Sequence, residues 1–183
     1  MVDQTLLRKN RVQVVMLLIA LPLVSVGAAY ILFYLAGQET LLQSTNQGEF
    51  VQPPVEVAAL RLEGPDGETM TEGGTWWIWM VTEECEAACE ETLFQLRQVH
   101  VLLNKDAGRV QRGLVAENAA TYHRVSGRFP ALSFLRSANP AVLARGVYIV
   151  DPIGNVVLRY PPHTEPKPVL DDLKRLLKVS QIG

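Results

Sequence analysis

Two residues in this chain have a type and a spacing that could do chemistry: Cys85 and Cys89, the only cysteines among its 183 residues. They stand four apart, where the apolar run Thr75 to Val81 (TWWIWMV) gives way to a stretch rich in helix formers. On a helix, residues i and i+4 share a face. Both sulfurs would then point at one spot, near the N–H groups that lack intrahelical partners at a helix start. Such a placement favours the thiolate. Two neighbouring thiolates either close a disulfide or hold a soft cation such as Cu(I). Either use requires the sulfurs to be reachable from solvent at the end of the strand.

The surroundings bear on that choice. Glu83, Glu84, Glu86, Glu90 and Glu91 crowd the pair. Negative charge opposes the helix terminus and disfavours a nucleophilic thiolate. A cation held by the sulfurs would cancel the repulsion, although exposed carboxylates are screened by salt. The bland reading is a static disulfide, common in exported proteins. Against it stands the position after an apolar strand, because ligand sites gather at the carboxyl ends of such strands.

A metal would ask for further ligands, and the chain has three histidines. His100 is eleven residues past Cys89, on nearly the same helical face but ~16 Å further along the axis. His163 lies in the proline-rich YPPHTEP and reads as solvated. His123, before Phe129-Pro130, is the least implausible third ligand, though a lone histidine is more often a surface or satisfied core residue. Met80 is a soft thioether, but within an apolar strand it reads as core filling.

The elements that must position the cysteines follow from patterning. Val55 to Leu62 alternates in part and suits a strand, followed by a Pro65-Asp66-Gly67 turn. Thr75 to Val81 reads as a strand buried on both faces. In it Trp77 and Trp79 share one face, while Trp76 and Ile78 take the other. Glu86 to Asn104 predicts a helix with a stripe of Phe94, Leu96, Val99, Leu102 and Leu103. Arg109 to Val115 predicts a strand, and Asn118 to Ser137 a mixed, partly helical segment. Gly146 to Val150 is a second buried strand. Asp151-Pro152-Ile153-Gly154 turns it back into Asn155 to Tyr160. Lys167 to Val179 closes as an amphipathic helix with Val169, Leu170, Leu173, Leu176 and Leu177 inward. Strands alternating with helices predict an α/β sheet with helices on both faces.

The remaining chain places that domain. Val14 to Ala36 is 23 residues without a charge, enough to cross the ~30 Å hydrocarbon layer. Pro22 lies within it, and Tyr30 and Tyr34 near its distal end suit an interface. Arg8, Lys9 and Arg11 precede the run, and the first charge after it is Glu39. The positive-inside rule keeps the N-terminus in the cytoplasm. The apolar run exceeds the h-region of a cleaved signal peptide. The expected organisation is a cytoplasmic N-terminus over 1–11, a transmembrane helix over 12–36, a linker over 37–54 and an exported domain over 55–183. The expected location is a bacterial inner membrane with the domain in the periplasm. A net charge of −2 offers no basic face for nucleic acid.

The chain resembles the Sco family of copper-handling cytochrome oxidase assembly proteins, within the thioredoxin-like superfamily, over roughly Val55 to Val179. Thr75 to Cys89 (TWWIWMVTEECEAAC) looks like that family's apolar strand leading into a C-x-x-x-C motif. Val147 to Leu158 (VYIVDPIGNVVL) looks like its tyrosine-led strand, Asp-Pro turn and hairpin. The terminal PVLDDLKRLLK is similar in place and pattern. The resemblance implies a thioredoxin-like central sheet with flanking helices, copper at Cys85 and Cys89, and as client a respiratory oxidase subunit or its copper-site cysteines. Glu86 and Glu90 stand where the family usually has proline. Its third ligand, a histidine, falls by spacing close to Leu143, and Asn139 to Arg145 holds no histidine. Arg145-Gly146 stands near the place of the cis-proline of thioredoxins proper.

Three readings remain open. The first is a membrane-anchored Sco-like accessory protein for oxidase assembly, handling copper or keeping client thiols reduced. The second is an enzyme, a thiol-disulfide oxidoreductase with Cys85 and Cys89 as attacking and resolving thiols. The third is a degenerate thioredoxin-like binding module with a permanent disulfide.

Overall fold

The computed structural model describes residues 4–37, 46–64, 67, 74–137 and 142–180. Residues 38–45 of the expected linker, Pro65 and Asp66 of the expected turn, and 139–141 lie outside the described residues. The chain divides into two units, Met1–Thr45 and Asn46–Gly183.

The first unit holds one helix, α1 (Gln4–Gly37). Its segment Gln13–Tyr34 has a mean hydropathy of 2.5 and is long and apolar enough to cross a membrane. The helix continues through Pro22, and the Ser25 hydroxyl donates to the Pro22 carbonyl at 2.9 Å.

The second unit is built on seven strands. They are β1 (Glu49–Glu56), β2 (Leu62–Glu63), β3 (Trp76–Val81), β4 (Val110–Ala116), β5 (Leu132–Ser137), β6 (Gly146–Val150) and β7 (Asn155–Tyr160). Their order across the sheet is β1-β7-β6-β3-β4-β5-β2. The centre, β3, runs parallel to β4 and antiparallel to β6, and β4 runs parallel to β5. All six residues of β3 are buried, as its unbroken apolar run predicts. Trp76, Ile78 and Met80 enter one core; Trp77, Trp79 and Val81 enter the other.

The helices are α2 (Val57–Leu60), α3 (Ala87–Leu102), α4 (Ala119–Ser126) and α5 (Pro166–Val179), with a 3-10 turn over Asn104–Arg109. Pro166 opens α5 at a position where no amide hydrogen is needed. Asn118 caps α4, its side-chain oxygen accepting from Ala120 N at 2.8 Å. Helices are expected on both faces, but the coverage is unequal. Residues of α3, α4 and α5 pack into one core, whereas the other is closed by the single turn α2 with Leu62 and Leu143.

Three elements depart from the sequence reading. The first strand begins at Glu49, inside the stretch expected to be a linker, and turns into α2 at Val57 rather than running on to Leu62. Pro53 and Pro54 hid it, yet they stand in an edge strand with an irregular register between Phe50 and Val55, where missing amide donors are tolerated. The mixed segment 118–137 contains a full strand, β5. In α3 the buried positions are Cys89, Thr92, Leu93, Leu96 and Val99, while Phe94 and Leu102 face outward.

The β6–β7 turn forms as its residues dictate. Asp151 Oδ1 accepts from Ile153 N at 3.1 Å and Asn155 N at 2.8 Å. Gly154, at φ +92°, takes the left-handed conformation that the turn requires.

Candidate functional site: a disulfide at the end of the central strand

β3 ends at Val81, and the chain reaches α3 through a short loop, 82–86. Thr82 N donates to Val115 O at 3.0 Å, which holds the loop's start to β4. The Thr82 hydroxyl donates to Glu84 O at 2.7 Å, folding the loop back on itself. Glu86 precedes the first helical residue without a side-chain cap. Only Cys89 therefore lies within the helix. Cys85 lies before its start, and the expected arrangement with both on one helical face is corrected to that extent.

The two cysteines nevertheless meet. Cys85 and Cys89 form a disulfide with their Cα atoms 5.0 Å apart, a separation within the range a disulfide spans. The expectation of solvent-reachable sulfurs does not hold in this state. Both residues are 0% exposed and belong to the core beneath α3. The first turn that brings Cys89 toward Cys85 also carries Leu93, Leu96 and Val99 onto the sheet, so the sulfurs turn inward with them.

The glutamates face the other way. Glu83, Glu84, Glu86 and Glu91 are exposed, and Glu90 is half-buried. Glu90 pairs with Arg128, which follows α4. Thr92, on the next turn of α3, donates to Ala88 O at 3.0 Å and to Pro162 O at 2.8 Å. That hydroxyl ties the start of α3 to the loop after β7.

The histidines stay apart from the pair. His100 has its Nε2 2.9 Å from Val110 O and is a satisfied, partly buried side chain. His163 is exposed. His123 lies on the exposed side of α4, its ring 5.8 Å from that of Tyr122. Among the described residues no three His, Cys, Asp or Glu side chains come together as a metal-holding group, so His123 does not join Cys85 and Cys89. Leu143 is buried hydrocarbon in the second core. Disulfide sulfurs are not thiolates, and cysteine binds a soft metal as the thiolate. In this oxidised state the residues do not fit a resident copper ion. What the arrangement can do is accept two electrons and two protons to become a dithiol.

Sequence reasoning missed two features here. Pairing of Glu90 with Arg128 joins residues 38 apart in sequence and leaves no local signal. The second is a cavity at the carboxyl ends of β3, β4 and β5, lined in part by Leu143 and Arg145. Those residues precede β6, and no pattern in the sequence marks a cavity there.

The family model described as transmembrane-like, thioredoxin-like, C-terminal domain matches residues 76–180, more than half of the 183 residues. The chain belongs to this family. As a member of the transmembrane-like, thioredoxin-like family it shares its fold with solved Sco structures. The copper-bound Sco protein of yeast is 18% identical, with a TM-score of 0.55, covering 73% of this chain and 93% of that one. The apo Sco protein of Thermus thermophilus is 19% identical, with a TM-score of 0.52, covering 74% and 97%. An uncharacterized thioredoxin-like protein of Porphyromonas gingivalis is 19% identical, with a TM-score of 0.53, covering 66% and 90%. These likenesses establish the thioredoxin-like fold. No curated protein matches the sequence.

Proposed function

We propose that this family member is a membrane-anchored, Sco-like accessory protein for assembly of a respiratory cytochrome oxidase, working through the redox state of Cys85 and Cys89. The observation that carries the reading is the disulfide itself, closed at the carboxyl end of the central strand with buried Leu143 where a third ligand would fall. That combination favours thiol redox maintenance over storage of a resident metal. Reduced Cys85 and Cys89 would give two electrons and two protons to a client disulfide. The client would leave as a dithiol, and the Cys85–Cys89 disulfide would re-form. A dithiol donor of the same compartment would then restore the pair by the same exchange in reverse. Because both sulfurs are enclosed, the first turn of α3 must lift before either can attack.

α1 would anchor the domain in a bacterial inner membrane. By the positive-inside rule, Arg8, Lys9 and Arg11 before its apolar run would keep its N-terminus in the cytoplasm, and the domain would sit in the periplasm. Copper enters this reading as cargo of the reduced pair or of the client. A solved Sco likeness in which a disulfide switch was identified belongs to a family of cytochrome c oxidase assembly proteins by its own description, and that supports the assignment.

The complete enclosure of both sulfurs favours a second reading, a permanent disulfide in a binding module. One experiment separates them. The full-length chain in detergent is equilibrated with glutathione buffers, and the reduced form is titrated anaerobically with Cu(I). A potential near the glutathione range supports the redox role, whereas one below about −300 mV supports the permanent disulfide. Tight Cu(I) binding lost in Cys85→Ser would turn the assignment toward copper transfer.

A further inference from the structure

The loop that carries Cys85 lines two cavities through Thr82 and Glu83. One is about 220 Å3, with an apolar floor of Val81, Val115, Ala116 and Leu143. The other is a polar groove bordered by Glu83, Glu84, Glu86 and Arg145. The two share Thr82, Glu83 and Arg145, and Glu117 stands on the rim of the first. They form one depression with an oily end and an acidic end, beside the disulfide loop.

Size decides what the oily end takes. A cavity of about 150 Å3 admits benzene, and drug-sized ligands begin at roughly 300 Å3. At about 220 Å3 the oily end on its own has room for one large side chain. Charge decides what lies beside it. Glu83, Glu84, Glu86 and Glu117 are exposed, and none has an ion pair among the described residues. Against these carboxylates stands the guanidinium of Arg145. The rim therefore attracts a cation.

We propose that this depression recognises a protein segment in which a bulky apolar residue is next to Lys or Arg. The apolar side chain fills the space over Leu143, and the basic one lies in the acidic groove. The segment is thereby held against the loop that carries Cys85. The inference rests on the redox reading above, since sharing a loop with a working pair is what makes the depression a client site. Leu143 completes the apolar floor that Val81, Val115 and Ala116 begin.

The test uses the full-length chain in detergent and a fluorescent peptide of sequence Gly-Phe-Lys-Lys-Gly, blocked at both ends. Saturable binding read by anisotropy is expected. Replacing Phe by Gly in the peptide, or filling the cavity with Ala116→Leu, is expected to weaken it at least 10-fold. Replacing both Lys by Glu is expected to abolish it. Arg145→Glu, on the exposed rim and harmless to the core, is expected to tighten it several-fold at low salt, less at high salt. No saturable binding, equal affinity for the Gly peptide, or an Arg145→Glu variant that binds no better overturns the proposal. Binding is measured also in the Cys85→Ser/Cys89→Ser chain, where it should persist. Loss of peptide binding with a normal reduction potential sinks this inference alone, while binding with an irreducible disulfide sinks the redox reading instead.

Discussion

Asp172 holds Gly48: its buried Oδ2 accepts from the Gly48 amide at 2.9 Å. The same oxygen takes the Gln47 amide at 2.7 Å and the Tyr160 hydroxyl at 2.8 Å. Three donors from two distant parts of the chain thus converge on one carboxylate of α5. Gly48 is required there, because a Cβ would lie 2.6 Å from the Tyr160 ring. Replacing Asp172 with Ala strands three donors. Each buried, unsatisfied donor costs about 1–3 kcal/mol, so a loss of at least about 3 kcal/mol is expected in urea unfolding. Asp172→Asn keeps an acceptor but not the charge and should cost less. Hydrogen exchange at Gln47 and Gly48 should accelerate in both, more in the alanine variant.

Alkaline pH should unfold the domain early. Burial, then the hydrogen bond and charge of Asp172, push the Tyr160 phenol far above its ordinary value of 10.0. Burial also raises that of Tyr148, partly offset by Arg159. A raised folded pKa means the folded state holds its proton where the unfolded chain has lost it. Stability is thus full below about pH 10 and declines as pH climbs above it. Thermal unfolding between pH 8 and 11.5 checks this, and Tyr160→Phe should flatten the decline. A midpoint unchanged to pH 11.5 would refute it.

Reduction should weaken the fold only modestly. The Cys85–Cys89 link closes a sequence separation of four, a very short loop. The chain-entropy estimate for so short a loop is ~2 kcal/mol. Thiol titration should find none in the folded, untreated chain and two after reduction. Urea unfolding with and without reductant should then differ by about that amount. A reduced domain that fails to fold would mark the disulfide as indispensable and argue against a working redox pair.

Two glycines should respond oppositely to alanine. At Gly146 a Cβ would meet the Tyr160 backbone oxygen at 2.6 Å, and backbone in a central hairpin has nowhere to move. Gly146→Ala should cost about 1–3 kcal/mol as overpacking. At Gly127 nothing lies within 4 Å, and its φ of −64° is helical. Gly127→Ala should be neutral or stabilising by up to about 1 kcal/mol. Denaturation midpoints of the two variants decide it.

How legible this was in sequence varied with how locally each element is determined. The unbroken apolar run of β3 and the Asp151 turn carry their own instructions and form as read. The terminal helix also holds, with Val169, Leu173 and Leu177 buried. Asp172 sits on that stripe, three residues past Val169, and an acid there was a readable sign of a buried partner. Its partners, 124 and 125 residues away, were not readable. β5 was missed because Leu132–Ser137 owes its conformation to pairing with β4 and β2 rather than to alternation. At the site, spacing brought Cys85 and Cys89 together on paper and in space. What spacing could not convey was direction: the turn that unites them also tucks them under α3.

The outermost strands on either side of the sheet, β1 and β2, both come from the short stretch 49–63. The family match starts only at residue 76. A fragment cut there would strip a neighbour from β7 and another from β5 at a stroke. Each bared margin could then recruit a second copy, and ribbons would grow from both sides. Like the selvedge of a cloth, residues 49–63 finish the weave so that it stops at one molecule.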